Sequence, residues 1–137
     1  MEYRKYPNKT LRHWLSFPFI WVMIVPSVIF DICLEIYHHI CFPLYRIPIV
    51  KRSHYIKIDR YRLQYLKWYD KINCIYCGYV NGLMHYAVRI AGDTEIYWCG
   101  IRHQPTLNFH EPKHHAGFAA YGDKKAFRKK YCRLKKE

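Results

Sequence analysis

The chain has 137 residues, room for one small domain, and carries a formal net charge of +13 with an isoelectric point near 9.6. So basic a surface calls for an anionic partner, whether acidic lipid, nucleic acid or an acidic protein. The six cysteines do not read as a secreted disulfide framework: the first apolar run meets Asp31 and Glu35 at once, with no small-residue cleavage site.

Residues 1–14 form a basic arm. Residues 15–30, LSFPFIWVMIVPSVIF, hold no charge, and the apolar character continues to Tyr45 with polar residues interleaved. The uncharged run is shorter than the roughly 20 residues that cross a bilayer. The pattern predicts one long anchor helix over 15–45, kinked near Pro26. Trp14 and Trp21 at one end, and Tyr37 and Tyr45 at the other, are placed as interfacial anchors. Basic residues flank both ends: Arg4, Lys5, Lys9 and Arg12 before, Arg46, Lys51 and Arg52 after. That symmetry fits a re-entrant or in-plane anchor as well as a single span, and a buried helix of a soluble domain is the competing reading. The expected location is membrane-associated, with the soluble part facing the cytoplasm.

Inside this segment lie Asp31, Glu35 and His38. The i, i+3 spacing of Glu35 and His38 is the one di-metal carboxylate bundles use. A di-metal site needs a second such set, on another helix. Polar residues pairing with arginine or lipid headgroups are the plainer reading.

Residues 46–122 read as a small Cys/His helical domain. A connector with Pro48 leads to DRYRLQYLKWYDKI (59–72), where Leu63, Leu66 and Tyr69 share a face and Asp59 is placed as N-cap. Residues 83–90 read as a short helix. Gly92 then reads as a stop and Asp93 or Thr94 as a new N-cap, starting a second helix that runs to about His103. Residues 109–123 are loop-like and rich in histidine. Residues 123–137 form a basic amphipathic helix capped by Asp123, with Phe127, Tyr131 and Leu134 on one face. Lys124, Lys125, Arg128, Lys129, Lys130 and Arg133 crowd the other, a surface for acidic lipid.

Cys74 and Cys77 in NCIYCGYVNG supply half of a tetrahedral site, a redox dithiol, or two packed thiols. Cys99 and His103, four apart, would share a helix face and complete a Cys3His set. Convergence depends on the chain reversing at Gly92-Asp93, because a straight helix would carry Cys99 roughly 30 Å from Cys77. His110, His114 and His115 are candidates to replace or supplement His103. Zinc is the expected ion and iron the alternative. Glu95, one turn before Cys99, is placed to orient a ligand, to act as acid or base, or simply to favour a first helical turn.

CIYCGY resembles the first knuckle of rubredoxin, C-x-x-C-G-Y. The second knuckle, C-P-x-C-G, is absent, so iron-based electron transfer is not carried over. NCxYCGYxNG, TExYWC with a following His, and HH with a following YGD together resemble a group of small bacterial proteins, a resemblance that implies no activity. Neither GxSxG nor a P-loop occurs. The expected fold is mainly α: a long membrane-anchoring helix and a small helical domain stapled by a metal knuckle. The expected function is that of a membrane-associated, zinc-binding accessory or assembly protein, which would serve a larger membrane complex. A membrane-bound metalloenzyme or iron redox protein is the first alternative and a nucleic-acid-binding zinc knuckle the second. The sequence identifies no small-molecule substrate.

Overall fold

The structure, a computed structural model, describes residues 9–131. It is mainly helical: α1 (Lys9–Val22), α2 (Ile24–Tyr45), α3 (Trp68–Trp98) and α4 (Lys124–Tyr131), with 3-10 turns at Arg52–His54, Arg60–Arg62 and Lys113–Gly117. Among the described residues there is no strand, only an isolated parallel bridge between Ile101 and Ala119. The chain divides into two compact units, Met1–Val88 and Arg89–Glu137.

In the first unit, α1 and α2 follow one another with a break at Met23. Pro26 falls in the first turn of α2, where a missing N–H costs nothing, and the Ser27 hydroxyl returns 2.7 Å to the Met23 carbonyl. Leu11–Tyr45 is long and apolar enough to cross a membrane. α1 is exposed on almost every side. α2 exposes one apolar stripe, Val25, Ile29, Ile32, Ile36, Ile40 and Leu44, at helical spacing. Its opposite face buries Ser27, Asp31, His38 and Phe42.

Two features hold the rest of the unit to that face. Arg52 reaches from the connector to pair with both Asp31 and Glu35. Leu83 and Tyr86 of α3 join Phe42 and His38 in the fully buried core. Beside them, α3 presents two glycines one turn apart. A Cβ on Gly78 would lie 3.0 Å from the Lys57 carbonyl, and one on Gly82 would lie 2.8 Å from Ile56 Cα and from the Tyr55 carbonyl. The pair makes a bare track along which the backbone of 55–57 lies against the helix.

The expected helix from Asp59 is not formed. That region gives only the turn at Arg60–Arg62 before α3 starts at Trp68, and Asp59 makes no capping bond. The expected break at Gly92 is also absent: α3 runs unbroken to Trp98. Three contacts keep it helical. Gly92 is buried under the His114 ring, which a Cβ would meet at 3.1 Å. Asp93 accepts from Arg89 at 2.8 Å across one turn, and the Thr94 hydroxyl bonds back to the Ile90 carbonyl at 2.8 Å.

After α3 the second unit turns back on itself. The Ala119 N–H donates to the Gly100 carbonyl and the Arg102 N–H to the Ala119 carbonyl, so 100–102 runs beside 119. The Tyr131 ring of α4 lies over Gly100, in the space a Cβ would occupy. Asp123 Oδ1 accepts the Ala126 N–H at 2.9 Å and starts α4, whose Lys124, Lys125, Arg128, Lys129 and Lys130 are exposed. Arg133 and Leu134, like Arg4 and Lys5, lie outside the described residues.

Candidate metal centre

Cys74 is buried and Cys77 exposed, both in the first third of α3, and Cys99 is exposed just past its end. All five described cysteines are free thiols. Because α3 continues through Gly92, the reversal on which a Cys74–Cys77–Cys99–His103 centre depended is not formed. The glycine of the CxxCG sequence serves packing against Lys57 instead.

The carboxylates and histidine of α2 are occupied by one another's partners. Arg52 forms a fork onto Asp31, its Nη2 standing 2.6 Å from Oδ2, and its Nη1 also reaches Glu35 at 3.0 Å. The Tyr79 hydroxyl donates to Asp31 Oδ2 at 2.7 Å. His38, fully buried, accepts the Val50 N–H on Nε2 at 3.0 Å, which leaves the ring proton on Nδ1, 2.9 Å from the Tyr86 hydroxyl. Donor atoms of Glu35, His38 and His39 do lie within 4.8 Å of one another. Yet both His38 nitrogens are engaged, and Arg52 already compensates Asp31 and Glu35. The set is a polar clamp between α2, the connector and α3. It holds Arg52 charged, chiefly through the hydrogen bond to Asp31, and pushes the Tyr79 hydroxyl up to about 12, through burial first and the Asp31 carboxylate second.

A different set converges in the second unit. Glu95, near the end of α3, faces the turn Lys113–Gly117. Its Oε2 lies 2.6 Å from His114 Nε2 and its Oε1 lies 2.9 Å from His115 Nε2. The His114 contact, more than any other, holds the Glu95 carboxyl below the usual glutamate range. His103 joins from the returning segment, its ring 5.6 Å from that of His115. Donor atoms of Glu95, His103 and His115 all lie within 4.8 Å of one another.

The surroundings are built to hold His115. It is fully buried and stacked on Phe118 at 4.8 Å. Arg102 pins its turn by donating to the His115 and Ala116 carbonyls, both at 3.1 Å, and stands 3.4 Å from Glu111. One atom is left over: His115 Nδ1 is buried with no hydrogen-bond partner, and the nearest carboxylate oxygen, on Glu111, is 3.8 Å away. A cleft of about 270 Å³ opens beside His103, lined also by Arg102, Phe109, Glu111 and Tyr121.

Of the histidines singled out in the sequence, His103, His114 and His115 are therefore brought to one carboxylate, while His110 is exposed and outside the cluster. Sequence spacing offered Glu95 only as an accessory group; Glu111 was passed over although it stands three residues before His114 in His110-Glu111-Pro112-Lys113-His114, and Arg102 carried no signal. Of the expected anchors, Trp14 is exposed, Trp21 packs on Tyr76 at 5.4 Å, Tyr37 meets Phe42 edge-on at 6.3 Å, and Tyr45 is half-buried. The chain matches no protein-family model, and no curated protein or solved structure resembles it.

Proposed function

We propose that the protein is a membrane-attached metalloprotein that binds one zinc ion through Glu95, His103 and His115. The observation that carries this reading is the convergence of three donors of ligand type on a fully buried imidazole. The orphaned nitrogen of that imidazole supports it. With an ion on Nε2, the ring proton would stand on Nδ1, on the side of Glu111, whose carboxylate oxygen is 3.8 Å away and the nearest group that could orient the ring. His114 holds the other oxygen of Glu95 and fixes the carboxylate.

Two imidazoles and one carboxylate are a donor count that leaves a coordination position open, whereas structural zinc sites are closed by four protein ligands. The reading is thus of a working metal centre beside the His103 cleft, not of a cysteine staple. Leu11–Tyr45 supplies the membrane attachment, and the exposed cations of α4 give it an affinity for acidic headgroups.

Elemental analysis of the full chain purified in detergent without chelator tests the reading. One zinc per chain is expected in the wild type and in Cys77→Ser, and none in His115→Ala or Glu95→Gln. Zinc lost from Cys77→Ser but retained by His115→Ala would return the site to the cysteines. Iron in place of zinc on the same residues would move it to the ferrous two-histidine, one-carboxylate class.

A further inference from the structure

What runs beside Leu11–Tyr45 bears on how that segment meets the membrane. α3 accompanies it in the same direction. Trp68 and Tyr69 face Trp14 and Phe17 across one cavity, and Tyr76 packs on Trp21. Further along, Tyr79 bonds to Asp31 and the Tyr86 hydroxyl meets His38. The connector returns against both helices. Val50 donates to His38 and Arg52 reaches Asp31 and Glu35 on α2, while Ile56 lies against Gly82 and Lys57 against Gly78 on α3. Residues 58–67 must then cover the distance from Gly78 back to the start of α3 at Trp68, about 15 Å at the helical rise.

A crossing needs about 30 Å of hydrocarbon, and every stretch of Leu11–Tyr45 of that length has this returning chain beside it. Beside 31–45 it carries Lys51 and Arg52; beside 14–30 it carries Asp59, Arg60 and Arg62, all three exposed. Apart from the 3-10 turns at Arg52–His54 and Arg60–Arg62 it is irregular backbone. The hydrocarbon layer does not admit irregular backbone open to lipid, and charged side chains within it are costly. The apolar surface is one-sided in the matching sense. Ile29, Ile36 and Ile40 of α2 are exposed opposite the buried Asp31 and His38, and α1 exposes Leu11, Leu15, Phe19 and Val22 at helical spacing. The flanks agree: exposed Arg12 before the segment, and exposed Arg46 and Lys51 after it, suit two ends that meet one headgroup layer.

We propose that the partner of this apolar face is a single leaflet: Leu11–Tyr45 lies in the plane of the membrane and does not cross it. The stripe of α2 and the apolar side of α1 sink about 5–10 Å into the boundary between headgroups and acyl chains, and the connector with its charges stays on the water side. This orientation rests on the membrane attachment proposed for the chain. It puts both ends of the segment on the same side of the bilayer.

Two measurements on the full chain test it. In the first, bacterial cells express Arg12→p-azidophenylalanine or Lys51→p-azidophenylalanine, and spheroplasts are treated with a membrane-impermeant cyclooctyne dye before and after lysis. The two positions are expected to label alike in both samples. A chain in the membrane fraction that labels at one position and not the other in intact spheroplasts would overturn the in-plane orientation alone. A chain recovered in the soluble fraction without detergent would overturn the attachment with it. In the second, p-benzoylphenylalanine replaces Ile36 or Arg60, and isolated membranes are irradiated and analysed by mass spectrometry. A phospholipid adduct is expected from Ile36 and none from Arg60. An adduct of two chains at Ile36 would make a second copy the occupant of the stripe and overturn the proposal. So would a lipid acyl adduct at Arg60, which would put the connector inside the bilayer.

Discussion

Gly82 and Ile56 meet backbone to backbone: a Cβ at position 82 would stand 2.8 Å from Ile56 Cα and equally close to the Tyr55 carbonyl. Backbone cannot swing aside as the end of a side chain can. Gly82→Ala is therefore expected to destabilise the protein by about 1–3 kcal/mol, although alanine is the better helix former by about 1 kcal/mol. Gly78→Ala, with one backbone contact at 3.0 Å, should cost less. Thermal unfolding followed by circular dichroism in detergent gives the order. A gain in stability for Gly82→Ala would contradict the packing.

The clamp on α2 rests on Arg52. Asp31 is buried, and Arg52 neutralises it while holding Glu35. Arg52→Gln leaves a carboxylate pair without its cation, at an expected cost of about 2–3 kcal/mol, below the usual value for a fully buried pair because Arg52 is partly exposed. Arg52→Lys should recover little, since one ammonium cannot replace the two-pronged contact. Unfolding midpoints of the two variants would agree closely on this account and fall below that of the wild type.

Tyr79 should ionise late. Burial and its bond to Asp31 keep the phenol neutral to about pH 12. A folded pKa raised above the unfolded value of about 10 means a stabilising contribution that is complete below pH 10 and is lost as the pH rises toward 12. Ultraviolet difference titration should resolve a late phenolate step that disappears in Tyr79→Phe. The stability difference between wild type and Tyr79→Phe should shrink over that same interval.

Gly100 is the floor on which α4 docks. A methyl group there would overlap the Tyr131 ring, so Gly100→Ala should detach the helix without unfolding α3. Hydrogen exchange over Lys124–Tyr131 would then rise toward that of a free segment. Protection equal to the wild type would show that α4 is held by something else.

Much of this architecture was legible in the sequence. The uncharged run ahead of Asp31 marked the long apolar helix, and Asp123 followed by closely spaced cations marked α4. The breaks in α3 were misread because Gly92-Asp93-Thr94 carries the local signals of a stop and a cap. Those signals lost to one tertiary contact no local rule contains, a histidine 22 residues on packed over Gly92, together with two i, i+4 bonds within the helix, Arg89 to Asp93 and Thr94 to the Ile90 carbonyl. Gly78 stands in the sequence as part of the knuckle-like CIYCGY; its need for a bare face arises from Lys57, far off in sequence. His114 and His115 stood out because three histidines fall in six residues, but His110 stays apart, and the meeting of the other two with His103 at Glu95 depends on the return of 100–119 along the end of α3.

The central claim concerns which atoms hold the ion, and X-ray absorption at the zinc edge of the zinc-loaded full chain reads them directly. The account predicts a first shell of nitrogen and oxygen alone, at about 2.0–2.1 Å, with imidazole outer-shell scattering and no sulfur. A sulfur shell at about 2.3 Å would place the metal on the cysteines and contradict it.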